Sequence, residues 1–295
     1  MDLNNLVSQL DSEFNVTKIK DDWSWMFDNR FKELSLKSFR KPNHHTGLVV
    51  KNSDQVLKIY TAFAPRTYVL KKIQKKGLKH VLLVVKHPFD WDGRKTASGF
   101  IHISDKDYEI MSDMRISLYS LHTPMDKNRN DKVVSTAYSF AKVIGLKVKD
   151  EFAEDDPNPG LKLGLIGTVS DKDFDSMVKR LSSILGYKVK TMKVNDKIGK
   201  IALTTGGGFI PEIVKEAKEK GCSTYITGII TPNASLYSRK NYPGELEKIE
   251  KLGLNVIGCS HYLTEKWAME YSILFFKQFC DAEFIEDEFA LKRLE

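Results

Sequence analysis

The pattern of apolar and polar positions changes period repeatedly along the chain, and each change marks a strand giving way to a helix. Residues 81–85 (VLLVV) form an unbroken β-branched and aliphatic run, as in a strand buried on both faces. Residues 56–64 (VLKIYTAFA) and 115–121 (RISLYSL) also read as strands. Between the first two, Pro65 suits the first turn of a helix and Gly77 its C-terminal stop. The same grammar returns later. KIALTT (200–205) is a strand, GGG (206–208) a turn, Pro211 opens a helix ending at Gly221, and TYITGII (224–230) is a strand. Pro88 and Pro232 each fall eleven residues after Gly77 and Gly221, so two related strand–helix–strand units are expected.

The remaining segments extend this reading. Residues 132–145 form a helix closed by Gly145, and residues 161–169 (LKLGLIGTV) a strand. A helix follows Ser170 as N-cap, with Asp171 and Asp173 at its positive end and Gly186 as its stop. LNVIGCS (254–260) is a strand leading into one long amphipathic helix over 261–279. Residues 1–45 read as a helix, a Trp-rich stretch (23–27) and a basic loop, and EDDPNPG (154–160) as the turn-rich boundary between lobes. The expectation is an α/β fold of two similar α/β lobes. An N-terminal extension (1–45) precedes the first lobe (46–155), and the second lobe (156–295) closes back on the first.

Composition narrows the class without choosing a function. At 295 residues, 41% hydrophobic and 29% charged, the chain is long enough for a substantial core. No apolar run reaches the roughly 18 residues of a membrane span, and the acidic, amphipathic start lacks an export signal, so a cytoplasmic protein is expected. Cys222, Cys259 and Cys280 form no CxxC pair, which argues against a disulfide framework or thiolate zinc site and for buried, reduced thiols. The net charge of +7 is lysine-rich, with Lys71, Lys72, Lys75, Lys76 and Lys79 around one helix. A solvated face explains them better than a nucleic-acid surface, because exposed aromatics are not interleaved.

Chemistry concentrates where strands end. Residues 81–85 run into Lys86-His87-Pro88, the 115–121 strand into His122-Thr123-Pro124-Met125-Asp126, and the 254–260 strand into His261 and Glu265. In open α/β sheets, sites gather outside the carboxyl ends of strands. His261 and Glu265, four apart at a helix start, project from one face, although HxxxE is common without a ligand. His122 and Asp126 share the spacing, but Pro124 argues against a regular helix between them. A lone His87 would more often be a hydrogen-bonded core histidine. Its recurrence with Asp126, His261 and Glu265 points instead to an imidazole–carboxylate set suited to zinc, iron or manganese. His44 and His45, adjacent, are expected to be satisfied or exposed rather than metal-bound. Thr204-Thr205-Gly206-Gly207-Gly208 is either an anion cradle or a tight structural turn.

In order, HTGLVV, KHP, HTPMD with Asn130-Asp131, TTGGG, a TG pair at 227–228 and SHYLTE make a set that resembles the Nif-three-like family over residues 46–285. That family includes proteins called GTP cyclohydrolase 1 type 2. The resemblance implies two α/β lobes, a dinuclear metal centre in the cleft between them and frequently a ring-shaped homohexamer. By position it implies His87, Asp126, His261 and Glu265 as ligands, with His122 as the motif histidine. Lys86 stands where the family's first ligand histidine stands, so one metal position should be weakened or lost. Val49 replaces a usual Gln, and Ile229 an acidic residue. The expected protein is a divalent-metal-binding hydrolase, cyclohydrolase-like, acting on a nucleotide-like small molecule with one or two ions. In it, His122 moves protons and Lys86 meets a substrate phosphate. The alternative is a non-catalytic metal-binding or regulatory partner with a degraded dinuclear site. A third reading, nucleic-acid binding by a basic ring, requires affinity that falls steeply with salt.

Overall fold

The computed structural model describes residues 1–22, 24, 27–91, 100–126, 135–230 and 244–290 of the chain. Asn130, Asp131, Pro232 and most of the Trp-rich stretch lie outside the described residues. In chain order the strands are β1 (Gly47–Val50), β2 (Lys58–Ala62), β3 (Val81–Val85), β4 (Asp90–Trp91), β5 (Phe100–Ile101) and β6 (Ile116–Ser120). They continue with β7 (Lys147–Glu154), β8 (Lys162–Thr168), β9 (Lys190–Met192), β10 (Lys200–Leu203), β11 (Cys222–Thr227), β12 (Asn255–Gly258) and β13 (Ala282–Phe284).

Two mixed sheets carry the architecture, with β4 and β5 as a small hairpin. The first runs β1-β6-β3-β2-β13, parallel except for β1. The second runs β7-β8-β10-β11-β12-β9, parallel only across β10, β11 and β12. The EDDPNPG segment is the turn of the β7–β8 hairpin, and β13 returns the C-terminal segment to the first sheet.

Alternation along the strands sorts side chains to opposite faces. In the first sheet, Ile59, Leu82, Val84 and Tyr119 pack under the N-terminal helix Leu3–Glu13 through Leu3, Leu6 and Leu10. Val81, Leu83, Val85 and Leu118 face Val69, Leu70 and Ile73 of the helix Thr67–Lys76. The second sheet is covered likewise, by Phe140, Met177 and Leu181 on one side and Val214 and Ala217 on the other. Each such side chain removed from water contributes about 1.5–3 kcal/mol.

Several boundaries differ from the sequence reading. Pro65 precedes the N-cap Arg66 instead of entering the first turn, while Gly77 closes that helix at φ +74° as expected. The helix expected after Ser170 begins at Phe174 with Asp173 as its cap, in a reciprocal capping box with Ser176. Asp171 instead pairs with Arg180, Oδ1 to Nε 2.7 Å. The long C-terminal helix divides into His261–Tyr271 and Ile273–Phe276. At the division, the Met269 carbonyl accepts from the Thr61 and Ser272 hydroxyls at 2.9 and 2.8 Å, which compete with the helical ladder. Residues His122–Asp126 are helical despite Pro124, because a proline in the first turn removes an amide that has no helical partner. Among the described residues no helix is long and apolar enough to cross a membrane. The cysteines are free thiols, Cys222 and Cys259 buried and Cys280 half-buried. Of the five lysines around the 67–76 helix, Lys72 pairs with Glu288 and Lys76 with Glu283.

Candidate metal centre

Residues just past the carboxyl ends of β3 and β6 in the first sheet, and of β10 and β12 in the second, converge. His87 follows β3, His122 and Asp126 follow β6, and His261 and Glu265 open the helix after β12. His87 Nε2 lies 2.7 Å from Glu265 Oε2, and His261 Nε2 lies 3.3 Å from the same oxygen. One donor atom from each of these three residues falls within 4.8 Å of the other two. That nitrogen–oxygen set, without thiolate, fits a borderline divalent ion such as zinc, iron or manganese. Phe63, just past β2, packs on both imidazoles with ring centroids 4.7 and 5.5 Å away.

Backbone design keeps Glu265 in place. Ser260 holds φ +76° and bonds its N–H to the Gly228 carbonyl at 2.9 Å, which turns β12 sharply into the helix. Gly206 lies against the carboxylate. A Cβ there would stand 2.2 Å from Glu265 Oε1 and 3.0 Å from His261 Nε2, at φ +57°. Its N–H donates to Thr264 Oγ1 at 3.0 Å, and the Gly208 N–H to the Thr205 carbonyl at 3.2 Å. These two amides are spent inside the protein, so the TTGGG segment acts as a tight structural turn that grants the carboxylate room.

Asp126 stands beside Lys86. The Lys86 side chain is 0% exposed, and its Nζ is 2.8 Å from Asp126 Oδ2. Burial pulls its pKa down, but the Asp126 and Glu265 carboxylates prevail and hold it above the lysine range. Lys86 therefore has no surface with which to meet a substrate phosphate; it is an internal counter-charge. Burial would raise Glu265, but Lys86 first, then His261 and His87, hold it well below the carboxylate range. His87 is pushed well below the imidazole range, burial outweighing Glu265, which leaves it neutral with a lone pair to offer. Asp126 also accepts from Thr136 Oγ1 at 3.0 Å, and Thr205 Oγ1 donates to Thr136 at 2.9 Å. The second sheet thus reaches Asp126 through two hydroxyls.

His122 lies at the edge of the group, 5.2 Å from the His87 ring, with Nε2 3.8 Å from Asp126 Oδ2. Its Nδ1 contacts a residue that sequence reasoning passed over: Asp21, at 3.0 and 3.2 Å. Burial would raise Asp21, but the His122 charge and hydrogen bonds from His122 and Thr123 bring it down to about 2. Thr136, Thr264 and Phe63 were missed as well, and Thr205 was singled out only as part of the TTGGG motif. Only the TTGGG motif carried a signal, through its glycines. His45 is buried and pairs with Asp22 at 3.3 Å, apart from the centre, as a satisfied histidine.

Comparison with known proteins bears on the fold and the family. A curated relative, a GTP cyclohydrolase 1 type 2 homolog from Methanocaldococcus jannaschii, is 26% identical over 241 residues, covering 80% of this chain and 86% of that relative. The solved structure of protein ybgI superimposes with a TM-score of 0.69 at 17% identity, covering 97% of this chain and 98% of that one. Staphylococcus aureus hypothetical protein SA1388 gives 0.67 at 18% identity, covering 97% of each. At those identities the likeness is one of fold. Since the family's sequence model matches residues 27–285, the chain belongs to the Duf34/NIF3 (NGG1p interacting factor 3) family.

Proposed function

We propose that this protein binds a divalent metal ion through His87, His261 and Glu265, and uses it in cyclohydrolase-like hydrolysis of a nucleotide-like small molecule. The observation that carries the reading is the convergence of two imidazole nitrogens and one carboxylate within 4.8 Å. The name of the Methanocaldococcus jannaschii relative supports the reaction class. When bound, the ion would polarise the attacked centre and lower the pKa of a water toward neutrality. The chain's own residues do the rest. Glu265 and His87 hold their donor atoms 2.7 Å apart, Asp126 presents a second carboxylate beside them, and His122 is the group placed to move a proton. Lys86 takes the place beside Asp126 that a second cation would take, so one ion per chain is the proposed count.

Elemental analysis of untagged protein and of His261→Ala tests the centre. Near-stoichiometric metal, lost in the variant, is the expected result; metal-free protein that takes up no added zinc, iron or manganese refutes it. A nucleotide screen for metal-dependent turnover then tests the reaction. The pairing of buried Lys86 with Asp126 also favours a second reading, a metal-binding regulatory protein without catalysis. A metal-loaded chain that turns over nothing yet retains a protein partner through purification would select that one.

A further inference from the structure

The N-terminal segment crosses the edge of the centre before the family match begins at residue 27. At that crossing Asp21 is 7% exposed, and its carboxylate faces the first sheet. It accepts from His122 Nδ1 at 3.0 Å, from the Thr123 N–H at 3.2 Å and from Thr46 Oγ1 at 3.2 Å. The segment is held on both sides. The Asp21 N–H donates to the Asn43 carbonyl at 2.8 Å, and its own carbonyl accepts from the His45 N–H at 2.9 Å. On the other side the β7–β8 turn reaches across. Asn158 Oδ1 accepts from the Lys20 N–H at 2.6 Å, while Asn158 Nδ2 donates to the Lys20 carbonyl at 2.9 Å. A side-chain amide that engages both backbone groups of one residue fixes position and orientation together. Asn158 is itself buried, so water competes little for these bonds.

We propose that Asp21 is the positioning residue for His122, and that Asn158 straps Lys20–Asp21 in place so that the N-terminal segment completes the centre. An imidazole has two nitrogens, and the partner of one decides what the other can do. With the Nδ1 proton donated to Asp21, the Nε2 lone pair is directed to the Asp126 side. His261 supplies the contrast: its buried Nδ1 has no hydrogen-bond partner among the described residues. An acidic partner on the far nitrogen of a site histidine orients the ring and raises its basicity. The role rests on the proposed reading of the centre as a metal site, but the tautomer can be tested without it.

The experiment is long-range nitrogen–proton NMR of the histidine rings in the metal-free full chain, with His122→Ala assigning the His122 signals. The wild type should show His122 protonated at Nδ1. Asp21→Asn, which keeps the shape but can donate to the ring, should shift protons to Nε2. Asn158→Ala should give a mixture, and serves if Asp21→Asn folds poorly. Manganese and zinc competition titrations supply the second readout. Because His122 lies outside the three proposed ligands, Asp21→Asn should leave their affinities unchanged while it changes the tautomer. A residue that merely stabilised the fold around the centre would weaken binding as well. Asp22→Asn, at an exposed neighbour paired with His45, should leave both readouts unchanged. An unchanged tautomer in both Asp21→Asn and Asn158→Ala overturns the proposal. Wild-type metal binding that His261→Ala leaves intact would instead overturn the metal reading, with the tautomer still deciding the role of Asp21.

Discussion

Replacing Lys86 by methionine keeps most of the side-chain volume and removes only the charge. Its ammonium is buried, 2.8 Å from Asp126 Oδ2, and acts on Glu265 as well. Breaking a buried ion pair costs about 3–5 kcal/mol, mainly because the abandoned charge stays desolvated. The Asp126 side chain keeps 21% exposure, so water takes up part of that charge and the low end, about 3 kcal/mol, is expected. The pair should act at full strength across the neutral range. A group whose folded pKa is raised contributes fully below its unfolded value and loses the contribution as pH rises through the folded one. For Lys86 that window opens only above the lysine value of 10.5. Urea denaturation at pH 7 in chelator should therefore show Lys86→Met less stable by about 3 kcal/mol. On the proposed reading, divalent metal at 100 times Kd should stabilise the wild type by about 2.7 kcal/mol. The variant should gain more, because an ion also replaces the lost ammonium. At equal metal concentration the difference between the two should then shrink by about 1.4 kcal/mol for each tenfold by which the variant binds more tightly. Equal stability in chelator, or a difference that metal leaves untouched, would refute the counter-charge reasoning. Lys86→His carries the same logic to stoichiometry: metal per chain should rise from one toward two.

Three further outcomes follow from the same geometry. Gly206→Ala must accommodate a left-handed φ of +57° and a Cβ 2.2 Å from Glu265 Oε1; about 2–4 kcal/mol of stability should be lost, with at least tenfold weaker metal binding by competition titration. Asp21→Asn should alter acid stability. The depression of Asp21 from 3.8 to about 2 is worth about 2 kcal/mol above the unfolded value and is lost as pH falls through the folded one. The variant's stability should therefore fall less steeply than that of the wild type between pH 4 and 2. Thr264→Val removes the acceptor of the buried Gly206 N–H, 3.0 Å away; a loss of about 1–3 kcal/mol is expected by urea midpoint, and no loss would mean the amide finds another partner.

The parts of the centre that were legible in sequence share one property: their signal is local. Val81–Val85 announces a buried strand by itself, so the residues that follow, Lys86 and His87, are placed at a strand end without knowledge of any neighbour. His261 and Glu265 declare a common helical face through their spacing. What was not legible is set by contacts between distant segments. Asp21 meets His122 across 101 residues, and Lys20 meets Asn158 across 138, with no periodicity that could predict either. Lys86 could be seen to replace a histidine, but its burial against Asp126 depends on where the 122–126 helix lies. Ser170 and Asp173 are both good caps by type. The structure uses Asp173, because the buried series Phe174, Met177, Leu181 and Leu185 begins immediately after it.

Charge balance joins these residues into one argument. Asp21, Asp126 and Glu265 bring three formal negative charges and Lys86 one positive, while the proposed ligands His87 and His261, and His122 in the neutral Nδ1-protonated tautomer proposed above, add none. The remaining two negative charges equal one divalent ion. On the proposed reading, a single ion makes the centre neutral, and a second would leave two positive charges in excess around the buried side chains of Lys86, His87 and Glu265. Such burial is costly without a compensating anion. On that reading, Lys86 sets the ion count and the electrostatic character together. Phosphoryl transfer depends on a surplus of positive charge to stabilise charge spreading over the transferred group. A neutral centre with one ion, a carboxylate and an oriented imidazole suits water attack on an uncharged carbon of a ring better than attack on phosphate. This favours the cyclohydrolase-like assignment over a phosphatase-like one.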